Sequence, residues 1–266
     1  MFDRFNRNVN YLRISVTDRC NLRCRYCMPE AGIKLMSHKE ILSYEEIVSF
    51  TAFAASYGIS KVRLTGGEPL IRKGIVKLVR MISAIPGIKD LSMTTNGLLL
   101  SRYANDLALA GLNRVNISLD TLNPIHYRYI TRYGDLEDVL EGIIAAKRAG
   151  LKPVKINCVV KANSKEPDAL AVREFSHKHQ LSIRFIRQMN LESGSFYGVE
   201  GGKGGICQLC NRLRLTADGH LKPCLFSENG YNIRALGYKQ AFLNAIKNKP
   251  EKGTINQINK FYNIGG

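Results

Sequence analysis

The sequence predicts an α/β protein: a partial (β/α)6 barrel of TIM type with a small C-terminal extension. Three observations predict it. Six short apolar runs alternate with segments of helical period. Apolar residues make up 45% of 266 positions, enough for one sizeable core. Several of the apolar runs end in glycine or small hydroxyl residues. Strict βα alternation implies a parallel sheet with right-handed crossovers. Six units fall short of a closed eightfold barrel, so the barrel is expected to be open, with its functional residues at the C-terminal strand ends.

The first strand runs from Tyr11 to Val16. After a cysteine-bearing loop, Tyr44 to Tyr57 has apolar residues at helical intervals, with Ser43 as N-cap and Gly58 as the stop. Lys61 to Leu64 is the second strand, ending in Thr65, Gly66, Gly67, Glu68 and Pro69. Further helices are expected over about 74–84, 101–110, 135–149 and 167–179, and strands over about 89–95, 113–119, 153–160 and 182–188. The helix over 135–149 is well marked. Asp135 caps it, Val139, Leu140, Ile143, Ile144 and Ala146 form its apolar stripe, and Gly150 ends it.

The loop behind the first strand carries Cys20, Cys24 and Cys27. Gaps of three and two residues bring three thiolates round one face of a small metal cluster and leave a fourth corner without a protein ligand. Iron–sulfur clusters are held at such spacings. Zinc would want four closed ligands, and no fourth Cys or His precedes His38. Gly66 and Gly67 let backbone approach a ligand closely, or make an ordinary βα turn. The hydroxyls of Thr94 and Ser118, at the next two strand ends, serve either cofactor oxygens or local caps. Arg13, Lys61, Arg63, Lys155 and Arg184 fall inside strands, where a long cation is expensive unless it meets an anion. Facing one cavity, they would make a phosphate-binding pocket.

CxxxCxxC, with Tyr26 before its last cysteine, resembles the radical S-adenosylmethionine superfamily. The resemblance implies a 4Fe–4S cluster on Cys20, Cys24 and Cys27 whose open iron chelates S-adenosylmethionine. It places Tyr26, Gly66, Gly67, Glu68, Thr94, Ser118 and Met189 around that cofactor. An electron from an external donor then yields a 5'-deoxyadenosyl radical, while the protein supplies position and excludes water.

The glycine-rich stretch 190–205 reads as a flexible linker, dividing a barrel region, 1–190, from an extension, 191–266. Beyond it lie Cys207, Cys210 and Cys224, with His220 near enough to complete a zinc site. Arg212 to Arg214, a turn at Ala217 to Gly219 and a second strand read as a hairpin holding Arg212 and Arg214 on one face, beside the metal.

CxxCNRLRLTADGxLKPCL behind such a barrel is similar to the GTP 3',8-cyclase family, which begins molybdenum cofactor biosynthesis. That likeness implies a second 4Fe–4S cluster on Cys207, Cys210 and Cys224, with its free iron on the guanine. It places Arg13, Lys61, Arg63, Lys155, Arg212 and Arg214 on the GTP phosphates or close to the substrate, and Arg184 at the reaction site. Gly265 and Gly266 match a diglycine tail that reaches into the active site, or are a plain terminus. The adenosyl radical would take hydrogen from ribose C3', and the carbon radical would attack guanine C8 on the way to 3',8-cyclo-7,8-dihydro-GTP. The chain departs from the family in two ways: several dozen residues are missing before the second cysteine set, and Arg187 stands where an acidic residue is usual.

The formal net charge is +17, from 39 Lys and Arg against 22 Asp and Glu, and the pI is about 9.7. The cations are spread along the chain, which fits an anion-attracting surface, nucleic-acid binding or a pocket for a phosphorylated small molecule. Residues 1–10 hold no apolar signal core, and no apolar run reaches membrane-spanning length. A soluble cytoplasmic enzyme is expected, its seven cysteines serving metal rather than disulfides. Its expected partners are GTP or a related nucleotide, an electron donor, a downstream biosynthetic enzyme and a second copy of itself. The rival readings are a paralogue acting on another nucleotide or a peptide, and a zinc-dependent nucleic-acid-binding protein.

Overall fold

Nine strands form one sheet in the order β6-β5-β4-β3-β2-β1-β7-β8-β9 in the computed structural model, which describes residues 1–190 and 193–257. The first six, β1 (Tyr11–Ser15), β2 (Lys61–Thr65), β3 (Asp90–Thr95), β4 (Arg114–Ser118), β5 (Lys155–Val160) and β6 (Ser182–Arg187), are parallel neighbours in chain order. The expected (β/α)6 unit is therefore present. Its helices are α1 (Tyr44–Ser56), α2 (Ile75–Ser83), α3 (Leu100–Leu109), α4 (Pro124–Thr131), α5 (Leu136–Arg148) and α6 (Pro167–Lys178).

Local chemistry sets their ends. Ser43 and Glu46 form a reciprocal capping box at the start of α1, and the Asp135 carboxylate accepts from Glu137 N at the start of α5. On α5, Val139, Ile143 and Ala146 are buried while Ile144 is 44% exposed, so the expected stripe is one residue too wide. The sequence reading passed over α4. It begins with Asn123 capping His126 N and with Pro124 in the first turn, but it buries only Tyr127 and Thr131, so its apolar period is faint.

The extension contains β7 (Arg212–Leu215), β8 (His220–Lys222), β9 (Tyr231–Asn232), α7 (Ile233–Leu236) and α8 (Tyr238–Lys247). The expected hairpin is β7 against antiparallel β8. β7 joins the sheet beside β1 and parallel to it, with Arg13 opposite Arg214, so one sheet runs through both regions. Phe242 of α8 and Phe50 of α1 are fully buried in the common core.

The stretch between β6 and β7 does not behave as a linker. Phe185 and Glu200 exchange backbone hydrogen bonds of 3.1 Å, and the Phe196 ring packs tilted against Phe226 with centroids 4.7 Å apart. Glycine serves close packing here: Gly205 has φ +77°, and a Cβ on it would lie 2.0 Å from Tyr197 O. No helix among the described residues is long and apolar enough to cross a membrane.

Candidate active site

One cavity of about 810 Å³ runs through the barrel and is lined by every candidate residue within the described chain except His220. Gly265 and Gly266 lie outside the described residues. The cavity is near the top of the ~300–1,000 Å³ range of small-molecule sites.

At the C-terminal strand ends stands the first cysteine loop. It is stitched to β2's exit by Val16 N to Thr65 O (2.9 Å), Gly67 N to Thr17 O (2.7 Å) and Glu68 N to Arg19 O (2.8 Å). A Cβ on Gly67 would lie 2.1 Å from the Arg19 carbonyl. The paired glycines thus admit the chain's own loop, which adds to the ligand contact foreseen for them. On the other side α4 holds the loop through Arg23 N to Thr131 O and Arg25 N to Ile130 O.

Burial pushes the Cys20 thiol up to about 12 and Cys27 to about 11, and it raises Cys24 too, with Cys27 adding to the effect. Tyr26 donates its hydroxyl to Asp120 at 2.9 Å, and burial lifts the Asp120 carboxyl to about 6. Burial likewise lifts Glu68 to about 7, although it accepts from Thr95 Oγ1 (2.8 Å), Asn96 N (2.7 Å) and Leu70 N (3.0 Å). Ser118 and Met189 also line this end.

Towards the N-terminal strand ends the lining turns cationic. Arg63, Arg13 and Arg214 are register partners across β2, β1 and β7, with Lys61, Tyr11 and Arg212 one pleat below. Arg63 donates to Ser92 Oγ at 3.2 Å, and the Asn116 amide, turned oxygen inward, accepts from it at 2.6 and 3.1 Å. Burial lowers the pKa of Arg13 well below the ordinary value, with Arg214 adding to the shift, and brings Arg214 to about 10, with Arg212 adding. Lys155 and Arg184, on β5 and β6, are lowered by burial in the same way. Ten Lys and Arg side chains line the cavity against two carboxylates, Glu68 and Asp90, and Asp90 is paired with Arg114. Such an excess calls for a polyanion.

The second triad closes that end. β7 runs parallel to β1, so Cys210, two residues ahead of it, lies at the N-terminal strand ends. β8 is antiparallel and delivers Cys224 to the same end. The two triads therefore face each other along the barrel and not across its mouth. The expectation that functional residues cluster at the C-terminal strand ends therefore holds for the first triad and not for the second: the sequence carries no mark of which strand β7 joins.

Burial would raise the Cys210 thiol, but the Lys249 ammonium and Arg212 outweigh it and lower its pKa. The Lys249 Nζ lies 3.5 Å from Cys210 Sγ. The His220 ring is turned to Asp218 at 2.9 Å and is absent from the cavity wall, so it does not complete a zinc set. Among the described residues no three His, Cys, Asp or Glu side chains are arranged for a single metal ion.

The donor sets and walls fit clusters and polar ligands. Each triad presents three sulfurs to the cavity, and Tyr11 Oη, Thr94 Oγ1 and Asn157 Oδ1 are buried in its wall without a hydrogen-bond partner among the described residues. Orphaned buried polar atoms mark a missing partner. Tyr11, Arg114 and Asn157 were passed over in the sequence. Tyr11 and Asn157 stand two places from Arg13 and Lys155, and Arg114 two and four places from Asn116 and Ser118, so the strand period of two would have found them.

The chain matches the Radical SAM superfamily model over residues 14–174. It is 45% identical over 282 residues to the GTP 3',8-cyclase of Thermodesulfovibrio yellowstonii, covering 89% of this chain and 88% of that protein. The chain belongs to the radical S-adenosylmethionine superfamily, within the GTP 3',8-cyclase family. Members of this family work with S-adenosylmethionine and 4Fe–4S clusters, and those are its cofactors. The GTP 3',8-cyclase of Syntrophomonas wolfei subsp. wolfei is 38% identical, with 100% of both chains covered. That alignment spans 326 positions against a chain of 266, so 60 of them have no residue here. At the level of fold alone, the crystal structure of Streptococcus suis SuiB matches with TM-score 0.62 at 14% identity, covering 91% of this chain and 66% of that one.

Proposed function

We propose that this chain is a GTP 3',8-cyclase, converting GTP to 3',8-cyclo-7,8-dihydro-GTP at the start of molybdenum cofactor biosynthesis. The observation that carries this reading is the cavity itself: two cysteine triads at its two ends, with rows of cations on the wall between them. Residues 1–190 would hold one triad and 191–266 the other.

Cys20, Cys24 and Cys27 would hold one 4Fe–4S cluster, and Cys207, Cys210 and Cys224 the other. When bound, the first cluster and S-adenosylmethionine supply the one-electron chemistry that takes hydrogen from ribose C3'. The protein's own work is placement. Thr94, Ser118, Glu68, Tyr26 and Met189 would seat the adenosyl cofactor, with Gly66 and Gly67 keeping the cysteine loop against β2. Arg13, Arg63 and Arg214, with Lys61, Lys155 and Arg212, would grip the triphosphate. Burial costs Arg13, Arg63 and Arg214 part of their hydration, and a polyanion of that kind would repay it. Arg184 would stand beside the reacting ribose, and the enclosing wall would keep the radical from side reactions with other molecules. Gly265 and Gly266 would reach the site from the chain end.

The shortened stretch before Cys207 contributes Phe196, Tyr197 and Val199 to the wall, and the Arg187 guanidinium lies 3.8 Å over the Tyr197 ring. It would cover the side that the missing residues cover in the relatives. We place the enzyme in the cytoplasm, as a homodimer served by an external electron donor and feeding a downstream biosynthetic enzyme.

The test is anaerobic reconstitution followed by incubation with S-adenosylmethionine, reductant and GTP. The expected products are 5'-deoxyadenosine and an isomer of GTP with a new chromatographic position. Cofactor cleavage that leaves GTP unchanged would assign the site to another substrate.

A further inference from the structure

Lys249, just beyond α8, is 1% exposed although it carries an ammonium. Its Nζ donates to Arg212 O at 2.7 Å, to Pro223 O at 2.8 Å and to Cys210 Sγ at 3.5 Å, which uses all three of its protons. Arg212 stands two residues after Cys210, and Pro223 immediately precedes Cys224. One ammonium therefore ties together the two strand ends that bear these cysteines.

No carboxylate among the described residues pairs with it. The cation that acts against it, Arg7, is held by Asp3 at 2.7 Å and by the carbonyls of Cys207, Pro250 and Glu251. A buried cation answered only by two neutral carbonyls is poorly repaid for its lost hydration. What remains to balance it is thiolate. Among the described residues the first triad has no such counterpart: the side chains outside the triad whose charge acts on its thiols are Glu68 and Asp120.

We propose that Lys249 is the counter-charge of the second triad, its ammonium balancing the thiolates of Cys210 and Cys224 and favouring the reduced state of the cluster they hold. This rests on the reading that Cys207, Cys210 and Cys224 carry a 4Fe–4S cluster. Net charge and hydrogen bonds to sulfur are the means by which a protein sets such a cluster's potential. A fixed positive charge stabilises the form that has gained an electron from the external donor. Lys249 is thus a positioning and tuning residue, set apart from the substrate.

The test uses chains in which Cys20, Cys24 and Cys27 are all replaced by Ala, so that iron signals arise from the second triad alone. Lys249→Gln keeps N–H donors and loses the charge; Lys249→Arg keeps the charge. In an electron paramagnetic resonance redox titration, the Gln protein is expected to show at least a tenfold lower ratio of reduced to oxidised cluster at fixed potential. That is a shift of about 59 mV for one electron. The Arg protein is expected within threefold of Lys. Equal potentials for Lys and Gln, or an Arg protein that falls with Gln, would overturn the proposal. Should the Gln protein fail to retain iron, retention becomes the readout: iron kept by Arg supports the counter-charge, and iron lost equally from Arg and Gln overturns it. A Lys249 parent that binds no iron at all would instead overturn the reading of the second triad.

Discussion

The two cysteine triads occupy opposite ends of one barrel, and the charge around them differs. Cys20, Cys24 and Cys27 sit in a pocket whose charged neighbours are the Glu68 and Asp120 carboxyls, and burial raises all three thiols. Cys210 has Lys249 and Arg212 beside it, which lower its pKa despite burial, while burial still raises Cys224 against the pull of Lys249 and Arg214. A cluster among carboxyls gives up an electron more readily than one among cations. The asymmetry suits a strong reductant at the cofactor end and a site that draws an anionic nucleotide at the other.

Removing one triad at a time should give the largest effect. Cys24→Ala is expected to abolish 5'-deoxyadenosine formation while the second triad keeps its iron. Cys210→Ala should lose the second set of iron and the nucleotide product but retain abortive cofactor cleavage. Iron per chain and chromatography of both products separate the two. Loss of all iron from either variant would show that the ends do not load independently.

A smaller effect is expected from the wall between them. Arg63→Met keeps an unbranched apolar stem at a side chain that is 8% exposed and removes its guanidinium charge. It should weaken equilibrium GTP binding by roughly tenfold to a hundredfold, the worth of one charge-assisted contact. Iron content should stay the same. A change below threefold would move the phosphates elsewhere.

The smallest effect tests the electrostatics in metal-free protein. At pH 8, alkylation should mark Cys210 at least about tenfold faster than Cys20, because thiolate is the reacting form. Mapping by mass spectrometry reads both sites, and equal rates would remove the contrast. The raised thiols also carry a sign: their neutral form is favoured on folding. Their contribution to metal-free stability is full below the ordinary thiol value of 9.0 and is lost as pH rises through about 11 for Cys27 and about 12 for Cys20. A melting temperature that falls over that range checks it.

Much of this architecture was legible in the chain. Strands such as β5 alternate apolar and polar residues, and Ser43 and Asp135 announce their helices. Cations placed in strands at Arg13 and Arg63 pointed inward because burial there needs an anion. The end at which the second triad sits was not legible, since pairing of β7 with β1 leaves no local mark. Lys249 and Arg7 were hidden for a related reason: most of their partners are backbone carbonyls, distant in sequence, and no side-chain spacing records them. In the glycine-rich stretch, composition read as flexibility because close packing and free motion both select glycine.

The central claim is that a nucleotide lies between the two triads with its ribose toward the first. Incubating reconstituted protein with GTP carrying deuterium at ribose C3' tests it most directly. One deuterium is expected in 5'-deoxyadenosine, matched by its loss from the nucleotide product, and 5'-deoxyadenosine formed without deuterium beside intact GTP would contradict it.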